Sequence, residues 1–187
     1  MTHPDTTHPT AAPDPPTPDQ IPAMLTAVMT QIRFARRYTH TLLDATPQDR
    51  WFDIPSGFPS NVAWQIGHLT VGQYGLLLFR IRGRTPDDLD LIPGRFRKAY
   101  GKGSVPTSDP SRQPSADELA GRLDRVLAIA EDVIPTIDAA TLAEPCDDPV
   151  AGYPTKLGAV MFAPLHEHIH AGQIGMIRRG LGLDPVR

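Results

Sequence analysis

The feature that most limits what this chain can fold into is a helical apolar period that returns four times. Between about Asp19 and Leu43, Ile21, Leu25, Val28, Ile32, Ala35, Thr39 and Leu42 recur three and four residues apart, which places them on one stripe of a helix. Gln65, His68, Leu69, Gly72, Leu76 and Phe79 share a face between Asn61 and about Arg82, with Trp64 on its border. Leu119, Leu123, Val126, Leu127, Ala130, Val133 and Ile134 repeat the pattern after Ser115-Ala116-Asp117-Glu118, a capping box. From Thr155 to about Arg179, Leu157, Met161, Leu165, Ile169 and Met176 line one side of a fourth helix. Ala159, Phe162, His166, His170, Gln173 and Ile177 form a neighbouring inward stripe. No stretch alternates convincingly with a strand's period of two. The expectation is an all-α four-helix bundle.

The punctuation between these stretches fits. Ala45-Thr46-Pro47 ends the first helix, because the residue before proline disfavours the α region. Ser60 is expected to cap the second and Thr155 the fourth. Pro135 weakens or ends the third, and Gly180-Leu181-Gly182 closes the fourth. Pro164 conflicts with its surroundings: it removes one backbone donor and crowds the carbonyl of Val160, so a kink one turn before His166, or a helix start at Pro164, is expected. Residues 1–18, crowded with Pro, Thr and Asp and carrying His3 and His8, are expected to be a disordered tail. The folded domain then covers 19–187.

Two connections stand out. Residues 83–114 carry nine prolines and glycines and little periodicity, a long crossover between helices 2 and 3. Such a crossover lets helices 2 and 3 run parallel, which makes helices 2 and 4 antiparallel. Gly101-Lys102-Gly103-Ser104 lacks the spacing and following helix of a phosphate-binding P-loop. Residues 138–154 form a second polar connection, with Asp147 and Asp148 as turn residues.

Composition narrows the function classes. A formal net charge of -3 over 187 residues gives no basic footprint for nucleic acid. Cys146 is the only cysteine, so no intrachain disulfide forms, and no adjacent cation activates it as a nucleophile. With no apolar run long enough for a membrane span and no secretory leader, a cytoplasmic location is expected.

Three of the seven histidines fall within five residues, in His166-Glu167-His168-Ile169-His170. Residues four apart stack on one helical face, so His166 and His170 aim at one point, while His168 points away by about 200°. His68 lies seven residues from the start of helix 2, and His170 about nine from the end of helix 4. With those helices antiparallel and a rise of about 1.5 Å per residue, His68, His166 and His170 reach one depth. A lone histidine on an apolar face is usually a hydrogen-bonded core residue; the agreement in depth favours a shared centre. Three neutral imidazoles leave coordination positions open, as in a catalytic or exchangeable metal site. Only the neutral ring ligates, so affinity is expected to weaken below about pH 6.5. Glu167 is the candidate proton acceptor, with an exposed surface residue as its alternative. Gln173 and Trp64 are candidates to support the ligands, Gln173 by orienting a ligand or a water.

The same run matches the zinc-protease pattern HExxH. Only seventeen residues follow His170, however, with no histidine among them, and Gln173 stands where the longer form of that motif requires glycine. These grounds weigh against a protease.

Together, Asn61-Val62-Ala63-Trp64-Gln65-Ile66-Gly67-His68-Leu69, the loop Tyr100-Gly101-Lys102-Gly103-Ser104, and His166-Glu167-x-x-His170-Ala171-Gly172-Gln173-Ile174 resemble the DinB/YfiT-like superfamily over about residues 19–183. The resemblance implies a bundle of up-down-down-up topology, often a homodimer. It implies a divalent metal, commonly zinc or nickel, at His68, His166 and His170. Some relatives are thiol-dependent transferases or isomerases that use bacillithiol, mycothiol or glutathione as a low-molecular-weight thiol. Pro164 and His168 depart from the usual helix 4 pattern. The expected function is therefore a metal-dependent enzyme activating a thiol or water, of thiol S-transferase or hydrolase-like type. The alternatives are a non-enzymatic metal-binding or stress-response protein and a metal-free bundle with hydrogen-bonded histidines.

Overall fold

The computed structural model describes residues 16–151 and 153–186. Residues 1–15 of the expected tail, with His3 and His8, lie outside them. The described chain is mostly helical, with one small two-stranded sheet. Helix α1 spans Ile21–Asp44, with Pro22 in its first turn, where a missing N–H costs no helical hydrogen bond. Its buried residues include Ile21, Val28, Ile32, Ala35, Thr39 and Leu42 from the predicted stripe, and also Arg36.

Helix α2 spans Val62–Tyr74 and is capped by Asn61, whose side-chain oxygen accepts from the Trp64 N–H at 2.8 Å. Asn61 replaces Ser60, the expected cap. Its amide also donates to the carbonyls of Phe52 and Thr107, tying two loops to this helix start. The second helix is not α-helical throughout to Arg82. A π-helical turn, Gly75–Phe79, precedes α3, Arg80–Arg82. Leu76, Leu77 and Leu78 in that turn are all buried, because it packs against both the third and fourth long helices described below.

The crossover has more structure than its sequence suggested: α4, Asp88–Leu91, and α5, Gly94–Tyr100. Helices of four and seven residues are too short to show a 3.6-residue period, and tertiary contacts hold them instead. Buried Asp88 accepts from Arg82, the Thr85 N–H and the Tyr74 hydroxyl, and the Arg82 guanidinium holds its pKa down at about 2. Phe96 and Tyr100 bury the other short helix against α2.

Helix α6, Ala116–Val133, has the predicted Ser115–Glu118 capping box and passes into a 3-10 turn at Ile134–Thr136, where Pro135 sits. Short α7, Ala139–Ala143, follows. Strands β1, Pro145–Val150, and β2, Tyr153–Thr155, pair antiparallel, in the segment expected to be an irregular connection. Helix α8, Lys156–Gly180, is capped by Thr155 as predicted. It runs through Pro164, which is buried inside it, so the helix does not begin there.

Side-chain contacts fix how the long helices meet. Arg36 on α1 meets Glu167 on α8, and Arg178 meets the carbonyl of Leu42, so the paired residue numbers rise together. Gln65 meets His170, and Gln73 meets the carbonyl of Ala163, so along α2 and α8 they run in opposite senses. Arg33 meets Glu131 and Arg36 meets Asp124, again in opposite senses. Helix α2 packs directly on α6 and α8, with Gln65 and Gln73 on its α8-facing side.

Candidate metal centre

Helix periodicity places His166 and His170 one above the other on α8, and α2 brings His68 against them. One ring nitrogen from each of the three lies within 4.8 Å of the other two. The Nε2 atoms of His166 and His170 are 3.2 Å apart. The His68 ring centroid is 4.9 Å from that of His170 and 5.8 Å from that of His166.

Hydrogen bonds at the far side of two rings decide which nitrogen faces the centre. The Ser60 hydroxyl donates to the carbonyl of Asn61 and accepts from the Gln65 amide nitrogen at 3.0 Å. That turns Gln65 Oε1 towards His170, 2.6 Å from its Nδ1. An amide oxygen only accepts, so Nδ1 carries the proton and Nε2 keeps its lone pair. His68 Nδ1 likewise donates to the carbonyl of Tyr100 at 2.8 Å, leaving its Nε2 as a lone-pair donor. A carbonyl behind each imidazole is the usual support of a metal-ligating histidine. His166 Nδ1 is buried without a partner.

Two glycines make the approach possible. A Cβ on Gly72 would fall 2.4 Å from His166 Cε1, so only glycine leaves room for that ring. A Cβ on Gly67 would fall 2.2 Å from the Tyr100 ring; its absence lets α5 lie on α2 and puts the Tyr100 carbonyl within reach of His68. Trp64 stacks on His68 with centroids 4.8 Å apart and planes 8° from parallel. Its indole N–H donates to Ser104 Oγ at 3.0 Å, joining the Gly101–Ser104 loop to the site.

Burial pushes the pKa of His166 down to about 4, helped by the nearby His68 ring. It pushes that of His170 down to about 3, helped by His166 and His68 and opposed by Gln173. Both rings therefore stay neutral, the form that ligates, well below the pH 6.5 threshold expected from an exposed imidazole. Gln173 is exposed on the wall of a cavity of about 670 Å³ that is also lined by His170.

Glu167 is placed differently. It is fully buried, its Oε1 accepts from Arg36 Nε at 2.8 Å, and its Oε2 accepts from Arg36 Nη2 and Gln73 Nε2. Both oxygens are engaged by Arg36 and Gln73, and its burial contradicts the surface alternative. Arg36 also donates to the carbonyl of Leu123 and to Asp124 on α6, so this pair ties α1, α2, α6 and α8 together. His168 lies outside the cluster, as its position on the helix predicted. It stacks near Phe34 and Tyr38 on α1, and its Nδ1 lies 2.8 Å from the carbonyl of Pro164. Cys146 is buried in β1, which raises its thiol pKa.

The sequence did not reveal Ser60, Gln65, the Tyr100 carbonyl or Gly72 as supports of the site. Gln65 and Gly72 carried the available signal, sharing the predicted face of helix 2 with His68 about one turn to either side of it.

The donor set fits a divalent ion. One ring nitrogen from each histidine comes within 4.8 Å of the other two, and burial holds the His166 and His170 rings neutral, the form that ligates. Comparison with curated proteins finds no match. The family model of the DinB superfamily matches residues 31–174, from the middle of α1 to the last third of α8, with all three histidines inside. The chain belongs to the DinB superfamily.

Proposed function

We propose that this protein binds one divalent metal ion, zinc or nickel, through His68, His166 and His170, and is an enzyme that activates a thiol or a water there. The observation that carries the reading is the pair of carbonyl oxygens, Gln65 Oε1 and Tyr100 O, that hold Nδ1–H on two rings and leave both Nε2 atoms with a free lone pair. When bound, the ion would lower the pKa of a thiol or water at its open position towards neutrality. The chain's own residues bind and orient. Trp64 holds the plane of His68, the Ser60–Gln65 relay holds that of His170, and the indole–Ser104 bond positions the loop at the cavity. Gln173 offers an amide to whatever occupies the cavity. Glu167 supplies stability instead of proton transfer.

The contact registers support an up-down-down-up four-helix bundle built from α1, α2 with its π turn and α3, α6 and α8. Exposed Phe34 and Leu165 support a homodimer across the α1–α8 face, testable by light scattering. No helix among the described residues is long and apolar enough to cross a membrane, and the lone cysteine suits a cytoplasmic protein.

One observation favours a second reading. The 3.2 Å spacing of the His166 and His170 Nε2 atoms also suits a hydrogen bond between neutral rings, which would satisfy a metal-free bundle. Titration with cobalt(II), followed by visible absorption, separates the two. The metal reading expects saturation at one equivalent and none in His166→Ala; a flat titration in both proteins contradicts it. Turnover of low-molecular-weight thiols with electrophiles, lost in His170→Ala, then separates an enzyme from a metal-binding protein without activity.

A further inference from the structure

A second hollow, of about 330 Å³, lies between α5 and the first turns of α6, at the lower end of the size range of small-molecule sites. Arg95, Arg112 and Arg122 line it, and among the described residues Glu118 is the one carboxylate that does, which leaves an excess of two positive charges. In a chain of net charge -3, that excess is local. Arg95 and Arg112 are exposed and, among the described residues, lie within ion-pair distance of no carboxylate. Arg122 is half-buried, its Cζ 5.2 Å from the centroid of the Phe96 ring. Its Nη1 donates to the carbonyls of Asp90 and Leu91, which carry no charge, and its Nε is buried without a partner. The nearby carboxylates are engaged elsewhere. Glu118 Oε2 accepts from the Ser115 N–H in the capping box, and Asp109 Oδ1 accepts from the Ser111 N–H and hydroxyl.

A cleft walled by charges of one sign concentrates the opposite ion, and an excess of two calls for a dianion. A phosphate monoester carries close to two negative charges at neutral pH, and its oxygens meet guanidinium forks two at a time. We propose that this hollow binds the phosphate group of a small organic phosphate monoester, with the organic end against Phe96 and Pro114, which also line it. The site is separate from the metal centre. None of the three histidines lines it, and the proposal stands whether or not the centre holds an ion. Tyr100 connects the two: its hydroxyl donates to Gln113 on the wall of the hollow at 2.7 Å, and its carbonyl accepts from His68.

The test uses two esters of the same shape, phenyl phosphate and phenyl sulfate, the first a dianion and the second a monoanion at about pH 7.5. Each is titrated by calorimetry into the full chain. Wild-type protein is expected to bind the phosphate about tenfold more tightly, the worth of one further charge-assisted hydrogen bond. Arg112→Gln and Arg95→Gln are each expected to weaken phenyl phosphate by about tenfold and to narrow its preference over the sulfate. Neither side chain makes a hydrogen bond among the described residues, so both variants are expected to fold. Arg125→Gln, an exposed change on α6 outside the hollow, is expected to bind as the wild type does. Four results overturn the proposal. They are equal affinities for the two esters, no binding of either, undiminished binding in Arg112→Gln (an anion held at the metal centre instead), and an equal loss in Arg125→Gln (a diffuse field only).

Discussion

Gln65 shows how much of this site depends on a single orientation. Its amide is pinned by Ser60 so that only the oxygen faces His170, which fixes the ring's tautomer. Gln65→Leu removes that acceptor and frees the ring. The expected result is a loss of roughly 10- to 100-fold in metal affinity, as for other partners of ligating histidines. Gln65→Glu keeps an acceptor and should recover most of it, both being measured by competition with a chelator. Glu167 makes the opposite case. Glu167→Ala leaves the buried Arg36 cation without its main partner, which costs about 3–5 kcal/mol of stability. Urea unfolding should show that loss while the folded fraction retains its metal; loss of metal with unchanged stability would return Glu167 to the site. The three ligands were legible because helical spacing is written in the sequence. The partners of Glu167 and His68 were not: Arg36 lies 131 residues from Glu167, and a backbone carbonyl such as that of Tyr100 has no residue type to announce it.

At the scale of elements, the long helices were readable and the short ones were not. The stripes of α1, α6 and α8 persist over 24, 18 and 25 residues, long enough for a period to stand out. The hairpin of β1 and β2 contains Pro145, Asp147, Asp148 and Pro149, residues poor in strand propensity. It is held by its own pairing and by packing on α8, neither of which a local pattern reveals. The close approach of α2 to α8 depends on Gly72. In an ordinary helix interior, Gly→Ala stabilises by about 0.5–1 kcal/mol. Here Gly72→Ala must displace the His166 ring, so thermal unfolding should show no such gain and metal affinity should fall. A stabilised variant with wild-type affinity would mean that the ring has room to spare.

For the whole molecule, the buried imidazoles couple metal-site chemistry to folding. In the unfolded chain His166 and His170 titrate near 6.5, and in the folded chain near 4 and near 3. Above 6.5 both states hold them neutral and the stability they allow is fully present. As pH falls below 6.5 the unfolded chain binds protons that the folded one refuses, so stability drops until the folded pKa values are reached. Each histidine contributes a slope of about 1.4 kcal/mol per pH unit in that window. Urea unfolding of the metal-free protein at pH 7, 6 and 5 should show this decline, and it should flatten in the His166→Ala, His170→Ala double variant; an unchanged slope would mean the rings are not buried.

The central claim, that His68 on one helix and His166 and His170 on another hold a single metal ion, meets its most direct test in metal analysis of protein purified without an affinity tag. About one equivalent of zinc or nickel per chain, lost in His68→Ala, is the predicted result. Less than about one tenth of an equivalent, with His68→Ala as stable as the wild type, would contradict it.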